Sequence, residues 1–157
     1  MNDTLRVIIV SVFALVSAQT IKFIAYSIIA KKIQLKMLIS TGGMPSSHSA
    51  LVTSLFIALL LLTIEKGNWD KAFYLPMSLV LALVVIHDSM GIRYEASKHA
   101  TILNYMVKDF EERQKEEIGY KKELKEFLGH KPIEAICGVI FGIIIGFLGY
   151  YLLGLFV

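Results

Sequence analysis

The chain has 157 residues, 55% of them hydrophobic and 18% charged, with a mean hydropathy of +0.63. That is too apolar for an ordinary water-soluble domain, and the apolar residues fall in blocks approaching the roughly 20 residues a membrane-crossing helix needs. The formal charge of +3 is modest, Asp and Glu interleave the lysines, and no nucleic-acid fold signature accompanies them, so no nucleic-acid partner is expected.

Four candidate spans, 5–30, 45–64, 72–87 and 133–157, predict an all-α polytopic membrane bundle, one integral membrane domain over 1–157 in contact with the lipid bilayer. The first starts with Asp3 and Arg6, and its run from 7 to 16 followed by Ser17-Ala18 imitates a signal peptide; the apolar pattern continues to Ala30, which favours a span. Inside it sit Gln19 and Lys22. An ionisable residue within a span is costly and marks function when it faces the bundle interior. The competing reading of Lys22 is a side chain snorkelling to the interface, about 12 Å of helix rise away.

After a short amphipathic piece at 33–39, suited to the interface, comes Gly42-Gly43-Met44-Pro45-Ser46-Ser47-His48, set directly against an uncharged run. The glycines permit a tight turn, and Pro45 suits the first position of a helix whose first turn would hold Ser46, Ser47 and His48. Unpaired N–H groups and the positive dipole end make such a turn a phosphate-binding place, although a plain cap would need the same residues. The connection 65–71 is brief, with Trp69 and Tyr74 as interfacial aromatics. The third span ends at His87-Asp88, and Gly91-Ile92-Arg93 follows at once.

From 94 to 128 the chain is charged, with Ile102, Tyr105, Met106, Phe110, Leu124, Phe127 and Leu128 near helical spacing, which predicts one or two amphipathic helices broken near Gly119. The last span opens with Gly129-His130-Lys131-Pro132-Ile133-Glu134. A helix starting near His130 puts Glu134 one turn on, where its carboxylate accepts the imidazole N–H. Gly138, Gly142 and Gly146 form a stripe that allows close helix packing. The single cysteine, Cys137, lies inside this span and offers neither a disulfide nor a thiolate metal site.

Of the 16 Lys and Arg, twelve follow the first or third span, whereas only Arg6, Lys66 and Lys71 fall at the opposite ends. The positive-inside rule then places both termini outside and the His48 turn and basic loop in the cytoplasm. His48, Arg93, His130 and Glu134 share that side in either orientation. A helix N-terminus with two hydroxyls, an arginine and a lysine makes a phosphate cradle; one histidine can attack phosphorus while the other protonates the leaving oxygen. A metal reading would recruit His48, His130, Glu134 and Asp88, but their spacing is not that of a zinc site, and neither metal nor cofactor is expected.

Pro45-Ser46-Ser47-His48 resembles the Pro-Ser-Gly-His motif of the type 2 phosphatidic acid phosphatase and vanadium haloperoxidase superfamily, and His130 with Glu134-Ala135-Ile136-Cys137-Gly138 resembles its His, three residues, Asp motif. Ala18-Gln19 with Lys22, 42–50 with its Gly43, Asp88 with Gly91 and Arg93, and Gly129-His130 with Pro132 and Glu134 look like the small divergent branch found in bacteria and plastids. The resemblance implies a cofactor-free lipid phosphate phosphatase with His130 as nucleophile, His48 as general acid and Glu134 orienting the nucleophile. It implies phosphate binding by Arg93, Ser46, Ser47 and Lys22, with Asp88 and Gly43 in support. Ser47 replaces glycine and Glu134 replaces aspartate, and the Lys, six residues, Arg-Pro segment is missing. Arg93 and His99 imitate the parent arginine-to-histidine spacing by themselves, but only His130 has a carboxylate one turn later and a span to follow. A phosphatidylglycerophosphate- or phosphatidate-like substrate is expected at the cytoplasmic face. The other reading is a non-catalytic headgroup-binding or assembly protein, and a homo-oligomer stays open.

Overall fold

The first apolar run forms α1, Asp3–Ile29, started by the Asn2 side chain, which accepts the Thr4 N–H at 3.1 Å. The computed structural model describes residues 2–40, 42–114, 124 and 130–155, without the side chains at 36, 71, 92, 93 and 114. Beyond α1, a 3-10 turn at Leu35–Leu38 occupies the expected interfacial piece. It is followed by α2, Ser47–Lys66, which stops at Gly67, where φ is +65° and the N–H returns to the Thr63 carbonyl at 2.9 Å. A second 3-10 turn, Trp69–Lys71, leads into α3, Tyr74–Met90. Only Gly91 separates α3 from the amphipathic α4, Ile92–Gln114, and α5 runs Pro132–Gly154.

Among the described residues the fold is all-helical, with four helical stretches long and apolar enough to cross a membrane, the third of them running over both α3 and α4. At 17 residues α3 is the shortest of the described α-helices, and the helical stretch it heads continues past Gly91 into the polar, amphipathic α4. The expected break near Gly119 and the positions Phe127 and Leu128 lie outside the described residues. Leu124 is bracketed by the Asn104 side chain, which donates to its carbonyl at 2.9 Å and accepts its N–H at 3.0 Å.

α2 is the central helix, packed against α1, α3 and α5, and it holds the largest buried share of the four. Its small residues make the seam with α5 that the glycine stripe predicts. A Cβ on Gly142 would lie 2.7 Å from the Ala50 carbonyl oxygen and 2.9 Å from Thr53 Cβ, and one on Gly146 2.9 Å from Ile57 Cβ. Without side chains at these positions the two backbones approach closely, so dispersion contacts replace the missing hydrophobic drive between helices in lipid. The outward faces carry exposed Phe13, Leu83, Val84, Ile144 and Leu148, apolar surface that only acyl chains cover without cost.

At the end away from His48 the structure corrects the reading of Arg6 as a flanking charge. Its side chain is buried, donating to the Tyr150 carbonyl through Nε (3.1 Å) and Nη2 (2.7 Å) and to Glu65 through Nη1 (3.1 Å). Glu65 also accepts the Tyr150 hydroxyl at 2.6 Å. The charge is inside because α2 supplies a carboxylate and α5 a carbonyl and a ring that together replace water.

Candidate active site

Two helix starts meet at the other end of the bundle. Pro45 does not occupy the first position of α2, as expected; Ser46 is the N-cap, and Ser47 and His48 open the helix. The reason is local, since Ser46 Oγ accepts the Ser49 N–H at 3.2 Å, a bond proline has no side-chain oxygen to make. The Ser46 N–H meanwhile donates to the Glu134 carbonyl at 3.1 Å. Gly43, at φ +93°, turns its N–H to Glu134 Oε2 at 3.2 Å. A Cβ there would stand 3.2 Å from the Tyr26 hydroxyl and 3.3 Å from Lys22 Cδ, so conformation and space both require glycine.

The second start corrects another expectation. α5 begins at Pro132 with Lys131 as N-cap, so His130 lies outside the helix and the one-turn spacing does not join it to Glu134. The contact forms anyway, His130 Nδ1 to Glu134 Oε2 at 3.2 Å, because Glu134 folds back over the helix start, where the same oxygen accepts the Lys131 N–H at 3.2 Å. The His130 N–H donates to the Ser89 carbonyl at 2.9 Å, which ties the segment to the end of α3.

His130 is 1% exposed, and its Nε2 has no hydrogen-bond partner among the described residues. The rings of His48 and His130 lie 6.1 Å apart at 62°. Burial pushes the His130 imidazole below its ordinary 6.5, and the charges of Lys22 and His48 add to this; the Glu134 carboxylate opposes them. Lys22 does not snorkel. It is fully buried, with Nζ 3.1 Å from Gln19 Oε1 and 3.4 Å from the Ser40 carbonyl oxygen.

The structure therefore brings together Lys22, Gly43, Ser46, Ser47, His48, His130 and Glu134. Asp88 is half-buried in the last turn of α3, next to the Ser89 carbonyl that holds His130. Arg93 stands in the first turn of α4, and its side chain lies outside the described residues. His99 is exposed on α4. Sequence reasoning missed Ser49, fully buried with Oγ 3.0 Å from Ser46 Oγ, although a serine three residues past a cap was there to be seen. It also missed the carbonyls of Ser40 and Ser89, for which no residue type gives a signal.

The model of the divergent PAP2 family matches residues 4–145. The chain belongs to this family. The matched stretch takes in Lys22, His48, Arg93, His130 and Glu134, so every residue of the candidate site lies within the divergent PAP2 match. The chain is also similar to the "uncharacterized membrane protein YuiD" of Bacillus subtilis (strain 168), 36% identical over 143 residues, covering 86% of this chain and 87% of that protein. No solved structure matches it. The membership and the four apolar helices together make this divergent PAP2 protein an integral membrane protein.

Proposed function

We propose that the protein hydrolyses a lipid phosphomonoester, of the phosphatidylglycerophosphate or phosphatidate kind, through a phosphohistidine and without a metal. The observation that carries this reading is the state of His130: Nδ1 is held by a carboxylate, and Nε2 is buried with no partner among the described residues. With its proton on Nδ1, the ring presents an Nε2 lone pair to phosphorus. As the N–P bond forms, the bond to the lipid oxygen breaks, and His48 gives that oxygen a proton. Water then attacks the phosphohistidine, His48 takes the water's proton, and inorganic phosphate leaves with Nε2 restored. Glu134 stabilises the ring while it carries positive charge. Lys22, the Ser47 hydroxyl, the N–H groups at the start of α2 and Arg93 supply donors to the phosphate oxygens.

The Ser46 oxygen accepts both bonds from Ser49 as the cap, which fixes the turn, and neither bond uses its O–H. The second reading is a headgroup-binding or assembly protein on the same scaffold, which the replacement of the parent glycine by Ser47 and of the parent aspartate by Glu134 favours. Purified protein should release phosphate from a panel of lipid phosphates with and without EDTA. Release that survives EDTA is the expected result, and a blank panel sinks hydrolysis in favour of binding.

The charge bias favours a site on the cytoplasmic face, where phospholipid synthesis would supply such esters. In a background with Cys137→Ser, Glu112→Cys in α4 should resist an impermeant thiol reagent in intact cells, whereas Asn68→Cys should react. Reversed labelling would move the site to the other side.

A further inference from the structure

Gln19 is the polar residue of α1 that this mechanism leaves unused, and its carboxamide is engaged at both ends. Nε2 donates to the carbonyls of Met37 (2.8 Å), Leu38 (2.8 Å) and Ser40 (3.2 Å). Only the amide nitrogen satisfies carbonyl oxygens, so Oε1 is fixed on the opposite side, where it accepts from Lys22 Nζ at 3.1 Å. The Ser40 carbonyl approaches the same ammonium at 3.4 Å, which accounts for two of its three donors. Both partners are neutral, so they orient the charge without cancelling it.

Lys22 belongs to the histidine pair by position as well. Its stem packs on Gly43, where a Cβ would stand 3.3 Å from Lys22 Cδ, and the Gly43 N–H bonds the carboxylate that holds His130. The Lys22 charge acts on His130 and on Glu134. A buried ammonium on a four-carbon stem has many rotamers, and an acceptor one turn back along the helix selects one of them.

We infer that Gln19 is a positioning residue, which aims the Lys22 ammonium at a bound phosphate group and leaves its charge intact. The inference rests on the phosphate site proposed above and is independent of whether that phosphate is hydrolysed.

A double-mutant cycle tests it on the full chain in detergent micelles, with inorganic phosphate as the probe in calorimetric titration and with kcat and KM for any lipid phosphate that is turned over. Gln19→Met and Lys22→Met should each weaken phosphate binding about tenfold, the size expected when one charge-assisted hydrogen bond is lost or misdirected. The double variant should bind no more weakly than Lys22→Met alone, since Gln19 acts only through that ammonium. For a hydrolysed substrate, Gln19→Met should divide its loss between KM and kcat in the same proportion as Lys22→Met does, since both act through one ammonium. Gln19→Glu, nearly isosteric, should weaken binding too, because a carboxylate neutralises the ammonium; it carries the same cycle if Gln19→Met fails to fold. Additive losses would mean that Gln19 only clamps the 37–40 turn, and would overturn the inference. Unchanged binding in the single variants, or a wild-type protein that binds no phosphate, would overturn it as well. Non-additive loss of phosphate binding in a protein that hydrolyses no lipid phosphate would uphold the inference and remove the phosphatase reading.

Discussion

Replacing His130 by alanine should lower phosphate release by about a thousandfold or more, because it removes the proposed nucleophile and not merely a contact to the substrate. An acid-labile phosphoenzyme should form within seconds of exposure to labelled substrate in the wild type and be absent from the variant. The side chain is buried, so the alanine also leaves a cavity; His130→Asn keeps an N–H for Glu134 while lacking Nε2, and should be as inactive with less loss of thermal stability. Wild-type release by His130→Ala, with loss in His99→Ala, would move the nucleophile to α4. The same side chain sets the acid limb of the rate profile. Burial holds the folded imidazole below 6.5, so the nucleophile stays neutral, and activity persists, to a pH lower than a free histidine would allow. Stability moves the opposite way to a histidine that gains a partner. Below 6.5 the unfolded chain takes up a proton that the folded one refuses, so the contribution of His130 declines as the pH falls from 6.5 through the lowered value.

Gly142→Leu should be among the most damaging substitutions outside the site. Its Cβ would sit 2.7 Å from a backbone oxygen of α2, which has no rotamer to yield, so α2 and α5 must separate. Overpacking of this kind costs about 1–3 kcal/mol where side chains relax, and backbone contact puts this case at or beyond the upper end. Separation also pulls His48, at the head of α2, from His130 and Glu134, so activity should go with the fold. Gly149 gives the contrast: its Cβ would meet only Val10 methyl groups, at 3.3 Å, and Gly149→Ala should be tolerated. A thermal unfolding midpoint for Gly142→Leu equal to that of the wild type would show that the seam is not what holds the bundle.

The spans were legible because each is a long, mainly apolar run, and the seam because glycines at four-residue spacing have few other uses in a membrane helix. The gathering of Lys22, His48, His130 and Glu134 at one end followed from their places at span ends and from the motif resemblance. Cap geometry was less legible. Pro45 and Ser46 compete for the start of α2, and the bond that decides between them comes from Ser49 and from a carbonyl on α5. The His130 contact was expected for the wrong reason, since helical spacing was assumed where a carboxylate folds back over a cap. Arg6 was misplaced because its partners, Glu65 and the Tyr150 carbonyl, lie 59 and 144 residues away.

One oxygen atom of Glu134 receives the Gly43 N–H, the Lys131 N–H and the His130 ring nitrogen. Three donors on one acceptor are not three independent fastenings, because a displacement of the carboxylate loosens all of them together. Gly43 and Glu134 are 91 residues apart, so the turn before α2, the start of α5 and the tautomer of the buried imidazole become ordered in one cooperative step. The pocket thus has a single coordinate for assembly, and whatever shifts α5 along α2 acts on the turn, the cap and the ring together.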